Sequence, residues 1–180
     1  LSRRLLRIKV VKALFAHFKS DSDNMIASEK TLMASVDKAY DLYFQMMLLP
    51  VELVRYAGQR LEMAKTKKLP TYEDLHPNTK FVDNVVLRIM ANSDAVNDYA
   101  AARKLGWERY PDLIRTLYGR LVESDYYKEY MLREERSFDE DRRFVEDFFI
   151  EIQNCDELDD VLEEMSVLWS DDLPYILIMI

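Results

Sequence analysis

The chain has 180 residues and a net charge of -8, with 49% apolar and 32% charged side chains but only three Gly and five Pro. That is enough apolar material for one core or two small ones, which excludes general disorder, and too little Gly for a phosphate-cradling loop. Abundant Leu, Met, Glu, Lys and Arg predict helices rather than sheets, hence an all-α multi-helix bundle. The single Cys155 excludes an internal disulfide or a multi-cysteine zinc site and fits a reducing compartment such as the cytosol. No apolar run approaches the roughly 20 residues that cross a bilayer, and the N-terminus lacks a signal-peptide pattern. A cytoplasmic protein with no membrane partner is expected.

The charge is unevenly placed. Arg3, Arg4, Arg7, Lys9, Lys12 and Lys19 give the first nineteen residues six cations and no acid, whereas residues 123–180 carry nineteen Asp/Glu against five Lys/Arg. An acidic body repels RNA, DNA or anionic lipid, so any anionic partner must meet the basic head.

In chain order, a helix is expected over Arg3 to Lys19. At 3.6 residues per turn its apolar side chains, Leu6, Ile8, Val10, Val11, Ala13, Leu14, Phe15 and Phe18, merge into one broad arc. Lys9, Lys12 and Lys19 fall on the narrow opposite face, while Arg3, Arg4 and Arg7 project from the apolar side, as suits first turns that lie against a partner. Residues 20–24 read as loop, and Ser28 followed by Glu29 opens a second helix, in which Pro50 introduces a kink or a new start. Residues 67–79, with Pro70 and Pro77, form the longest irregular stretch and the expected hinge. Further helices are predicted at Lys80 to Met90, Asp94 to Leu105 ended by Gly106, Pro111 to Val122 and Asp125 to Arg133. Ser137 and Glu140 have capping-box spacing ahead of a helix from Phe138 to Gln153. A helix from Asp156 to Leu168 follows, and Ser170 caps a last one, with Asp171 and Asp172 near its positive end. Starting at Leu1 and stopping in an apolar run, the chain reads as part of something longer.

Glu73-x-x-His76 has the spacing of half a di-metal site, but one pair is too few and Pro77 disfavours a helical His76, so no metal is expected. His17 reads as a core-edge residue. The acids of 139–141, 156–160 and 163–164 suit first turns and solvated faces rather than catalysis. Cys155 has no nearby His in sequence and no nucleophile elbow is present, so neither catalytic residues nor a cofactor are expected. Trp107, Tyr110, Tyr118, Tyr126, Tyr127 and Tyr130 are numerous enough for a base-stacking platform, yet they lie where the chain turns acidic, which favours core packing or a protein interface.

The segment Arg3-Arg4-Leu5-Leu6-Arg7-Ile8-Lys9-Val10-Val11-Lys12-Ala13-Leu14-Phe15 resembles the opening helix of the NusB family of bacterial transcription antitermination factors. That helix has an arginine cluster and then Val-Gln-Ala-Leu-Tyr, matched here by Val11 to Phe15 with Lys for Gln and Phe for Tyr. The resemblance implies an all-helical, non-enzymatic protein of the bacterial cytoplasm. It would bind boxA-type single-stranded RNA together with the ribosomal protein NusE in the transcription elongation complex. It assigns RNA contact to Arg3, Arg4 and Arg7 by position, with Lys9 and Lys12 as neighbours. The segment Ser166 to Pro174 is similar to what precedes the second half of a long NusB variety. On that reading residues 1–20 are the RNA-binding helix, 21–165 a helical insertion and 166–180 the start of the second half, whose Phe-Val-Asn-Gly-x-Leu-Asp-Lys type motif is absent. A monomer and a homodimer both remain open. The alternative expectation is a helical protein-interaction module that docks its partner on acidic helices.

Overall fold

The computed structural model describes residues 1–20 and 24–180, which are all-α with no strand. Among the described residues eleven α-helices follow one another: α1 (Arg3–Lys19), α2 (Met25–Lys65), α3 (Tyr72–Leu75), α4 (Val85–Ala91), α5 (Asp94–Arg103), α6 (Pro111–Glu123), α7 (Asp125–Leu132), α8 (Phe138–Glu151), α9 (Asp156–Met165), α10 (Val167–Ser170) and α11 (Leu173–Leu177). A single 3-10 turn, Ile152–Asn154, links α8 to α9. Among the described residues no helix is long and apolar enough to cross a membrane.

Local chemistry explains where the helices start and where the sequence expectations shift. Ser2 Oγ accepts from Leu5 N at 3.2 Å and starts α1. Asn24 Oδ1 accepts from Ala27 N at 3.1 Å, so α2 begins at Met25 rather than at Ser28. The expected loop at 21–23 lies outside the described residues. Pro50 neither ends nor restarts α2, which continues to Lys65. Within the stretch expected to be irregular, Thr71 and Asp74 form a reciprocal capping box that starts the short α3. Helix α4 waits until Val85 because Asn84 Oδ1 takes Leu87 N at 3.0 Å, leaving residues 80–83 in turns. Ser137 Oγ caps Glu140 N at 3.2 Å, but the Glu140 carboxylate turns away to Lys80, so only half of the expected box forms. Ser170 ends α10 instead of capping α11, and Asp172 occupies that N-cap position.

The chain forms two compact units, one of residues 1–44 with 153–180 and one of residues 45–152. Helix α2 supplies residues to both, and the segment 67–79 lies inside the second.

In the second unit α8 packs on α4 and α7, α7 on α6, and α5 on α4. Trp107, Leu87, Ile114, Leu117, Phe81 and Phe144 are buried there. The Tyr130 ring stacks on Phe144 at 4.4 Å, and Tyr127 meets the same ring edge-on at 6.1 Å. The aromatics weighed as a stacking platform are thus spent on this interior: Trp107 and Tyr130 are buried, and Tyr110, Tyr118, Tyr126 and Tyr127 are half-buried. Burial raises the hydroxyl pKa values of Tyr126, Tyr127 and Tyr130 above that of free tyrosine.

A buried Gln45 closes the loop after α5. Its Nε2 donates to Gly106 O at 2.8 Å, its Oε1 accepts from Gly106 N at 2.9 Å, and Trp107 Nε1 donates to Gln45 O at 2.9 Å. Gly106 has φ +151°, a backbone conformation that a side chain strains, and a Cβ there would also displace the mobile end of the exposed Glu108 side chain. Gly106→Ala should therefore cost about 1–3 kcal/mol, read as a lower urea midpoint; an unchanged midpoint would show that the loop relaxes freely.

The first unit has a smaller core of Leu5, Ala39, Leu42, Leu158, Leu162, Trp169 and Ile176. Trp169 Nε1 donates to Lys38 O at 2.8 Å, and Cys155 is buried and in no disulfide.

Candidate nucleic-acid interface

Helix α1 does not bury the arc that its sequence suggests. Leu5 and Lys9, one turn apart, are its only buried residues, whereas Val11, Phe15 and Phe18 are 64%, 64% and 80% exposed. An apolar wheel counts candidates for burial but not the surface available to cover them. Ten of these seventeen residues are apolar, yet a single line of side chains meets the core.

This placement corrects the expectation for Lys9. It does not lie on a solvated face: its ammonium is buried, with Nζ 2.6 Å from Asp172 Oδ2. The reason is the partner, since an aliphatic stem can line a core when its charge meets a carboxylate at the end. Desolvation pushes the Asp172 carboxyl up, opposed by Lys9 and Lys12. Lys12 remains exposed and bonds Asp171 Oδ2 at 2.6 Å, which raises its pKa. The two acids assigned to the dipole of the last helix therefore tie it to α1.

Arg3, Arg4 and Arg7 differ from the lysines. All three are exposed, and none forms an ion pair with a carboxylate among the described residues. The Arg4 guanidinium lies 5.5 Å from the centre of the Tyr175 ring, which steadies it without neutralising it. Arg3 and Arg7 are one turn apart on a helix with no acid in its first turn. Three planar donor groups so placed can fork onto phosphates and stack on splayed bases. At the other end of α1, Lys19 lies 5.4 Å from the Phe15 ring centre, and His17 Nδ1 is 2.8 Å from Ser28 Oγ at the edge of the core.

The acidic clusters divide. In α9, Asp156, Asp160, Glu163 and Glu164 are exposed as expected, and Asp159 is half-buried, its pKa raised by desolvation and by Asp156 and Asp160. In α8, Glu140 and Asp141 are buried, contrary to the solvated-face reading. Lys80 Nζ donates to Glu140 Oε1 at 3.0 Å and to Arg133 O at 2.7 Å, and it sits 4.5 Å from the Tyr130 ring centre. Asp141 accepts from Tyr130 OH at 2.6 Å and from Val85 N at 2.7 Å. These partners lie up to 60 residues apart, so sequence spacing gave no sign of them.

His76 ends α3 with its ring 4.5 Å from that of Tyr72. Among the described residues no group of three or more His, Cys, Asp or Glu side chains is arranged to hold a metal ion. No family model, no curated protein and no solved structure matches the chain.

Proposed function

We propose that this chain is a non-enzymatic RNA-binding factor of the NusB type, acting in transcription antitermination on boxA-like single strands with NusE as its protein partner. The observation that carries this reading is the set Arg3, Arg4 and Arg7, exposed and without a carboxylate partner among the described residues, on a helix free of acids. The Arg-Arg-Leu-Leu-Arg opening that resembles the family supports it from sequence. Phosphate contacts from the arginines supply affinity and position, and stacking or base-edge contacts supply preference. Lys12 joins them by exchanging its exposed carboxylate for phosphate, since such surface pairs are weak. Lys9 is committed to Asp172 and contributes by holding the helix rather than by touching RNA.

Fluorescence anisotropy of labelled boxA and scrambled strands, with and without NusE, tests the proposal. Binding should favour boxA, strengthen with NusE and fall steeply with salt. Arg4→Ala with Arg7→Ala should weaken binding about 10-fold or more and lower the salt slope by about 2, while unfolding is unchanged because both side chains are exposed. Equal affinity for the two strands, or a double variant that binds like the parent, would sink the reading.

The second reading, a protein-interaction module, is favoured by the exposed α9 acids together with the uncovered Val11, Phe15 and Phe18. Partner capture that is indifferent to the head arginines and abolished by Glu163→Lys with Glu164→Lys would select it.

A further inference from the structure

We propose that a second copy of this chain covers the solvent face of α1, laying its own α9 and α10 along that helix. The inference does not rest on the RNA reading. At 3.6 residues per turn, Arg3, Arg4 and Arg7 fall in the same arc of about 140° as Val11, Leu14, Phe15 and Phe18, opposite the buried Leu5 and Lys9. The four apolar side chains are between 45% and 80% exposed. Together they present on the order of a few hundred Å² of contiguous apolar surface, the size that marks an interaction site rather than scattered exposure. Phosphate contacts engage the arginines and leave this surface uncovered.

The exposed face of α9 is its complement. Asp156, Asp160, Glu163 and Glu164 share an arc of about 100°, opposite the buried Leu158 and Leu162. None of the four forms an ion pair among the described residues. Val167 and Leu168, 76% and 46% exposed, follow directly in α10.

Both faces therefore run from charged at their N-terminal end to apolar at their C-terminal end. Set parallel, they bring arginine to carboxylate and apolar side chain to apolar side chain along their length. Set antiparallel, they would press charges against Val and Phe, which desolvation opposes. Helix α1 contains no acid and α9 no base, so α1 against α1, or α9 against α9, would face like charge with like charge. Each protomer offers both faces, and a pair of chains satisfies them at once. In that pair the arginines are held away from any other anion.

Sedimentation velocity of the full chain from about 1 to 200 μM, in low and in high salt, tests this. With rising concentration the mass should climb above the 21.4 kDa of one chain towards twice that value, and the association should weaken as salt screens the charges. Arg3→Glu with Arg4→Glu and Arg7→Glu should weaken it at least about 10-fold, and so should Asp160→Lys with Glu163→Lys and Glu164→Lys. All six positions are exposed, so both variants should unfold like the parent. Mixed in equal amounts, the two variants should associate as tightly as the parent, because each reversed face then meets its opposite. A chain that stays monomeric at every concentration, or a mixture that associates no better than either variant alone, overturns the proposal.

Discussion

Asp172→Ala should destabilise the first unit by about 3–5 kcal/mol, because it strands the Lys9 ammonium in the core without a counter-charge. Both side chains are only 6% exposed, so water cannot take over the lost partner. The pair is nevertheless no strong net stabiliser. The upward shift of the Asp172 carboxyl shows that desolvation outweighs the attraction of Lys9 and Lys12. A raised folded-state pKa means that the native state holds this proton more tightly than the unfolded chain does. The group thus favours folding as pH falls through its folded pKa and opposes it above. Replacing both partners, Lys9→Met with Asp172→Leu, should therefore recover most of the loss and leave stability within about 1 kcal/mol of the parent or above it. Trp107 lies in one unit and Trp169 in the other, so 19F signals of fluorotryptophan-labelled protein report each unit separately during urea unfolding. A single variant as stable as the parent, or a double variant as weak as the single, would show that the pair is not desolvated in solution.

Lys80→Met should cost the second unit a similar 3–5 kcal/mol or so, since it removes the ion-pair partner of the buried Glu140. Its effect reaches further than one pair, because Lys80 also donates to Arg133 O and lies over the Tyr130 ring, whose hydroxyl serves Asp141. Tyr130→Phe leaves Lys80 in place and removes the hydroxyl that donates to Asp141 and accepts from Asn84 Nδ2, so it should cost less, about 1–3 kcal/mol, chiefly by depriving a buried carboxylate oxygen of its donor. The two substitutions share partners, so together they should cost less than their sum. Simple additivity in the same 19F experiment would mean that Lys80 and Tyr130 act apart.

The helical class and most helix positions were legible from composition, apolar spacing and caps such as Ser137 and Pro111, because those signals act within a few residues. Starts set by Asn24 and Asn84 were missed: both are ordinary cap residues, but each was read as part of a neighbouring loop or helix. Long-range pairing was not legible. Nothing adjacent marks Lys9 as a core residue rather than a surface one, since its environment depends on an acid 163 positions away. Glu140 and Asp141 look like first-turn acids from their spacing, and in position they are; only the fold brings Lys80 and Tyr130 to them. For the candidate interface, the arginines were visible as a cluster, but which cations stay unpaired was decided by Asp171 and Asp172.

The discontinuous make-up of the first unit has a consequence for the order of events during synthesis. Residues 45–152 form a contiguous unit that can fold as soon as it leaves the ribosome. The first unit joins residues 1–44 to residues 153–180, so α1 must wait for that later segment to be translated before Asp172 can meet Lys9. Until then the nascent head carries all six of its cations uncompensated, and its attraction for polyanions is greatest before the unit that positions it has closed.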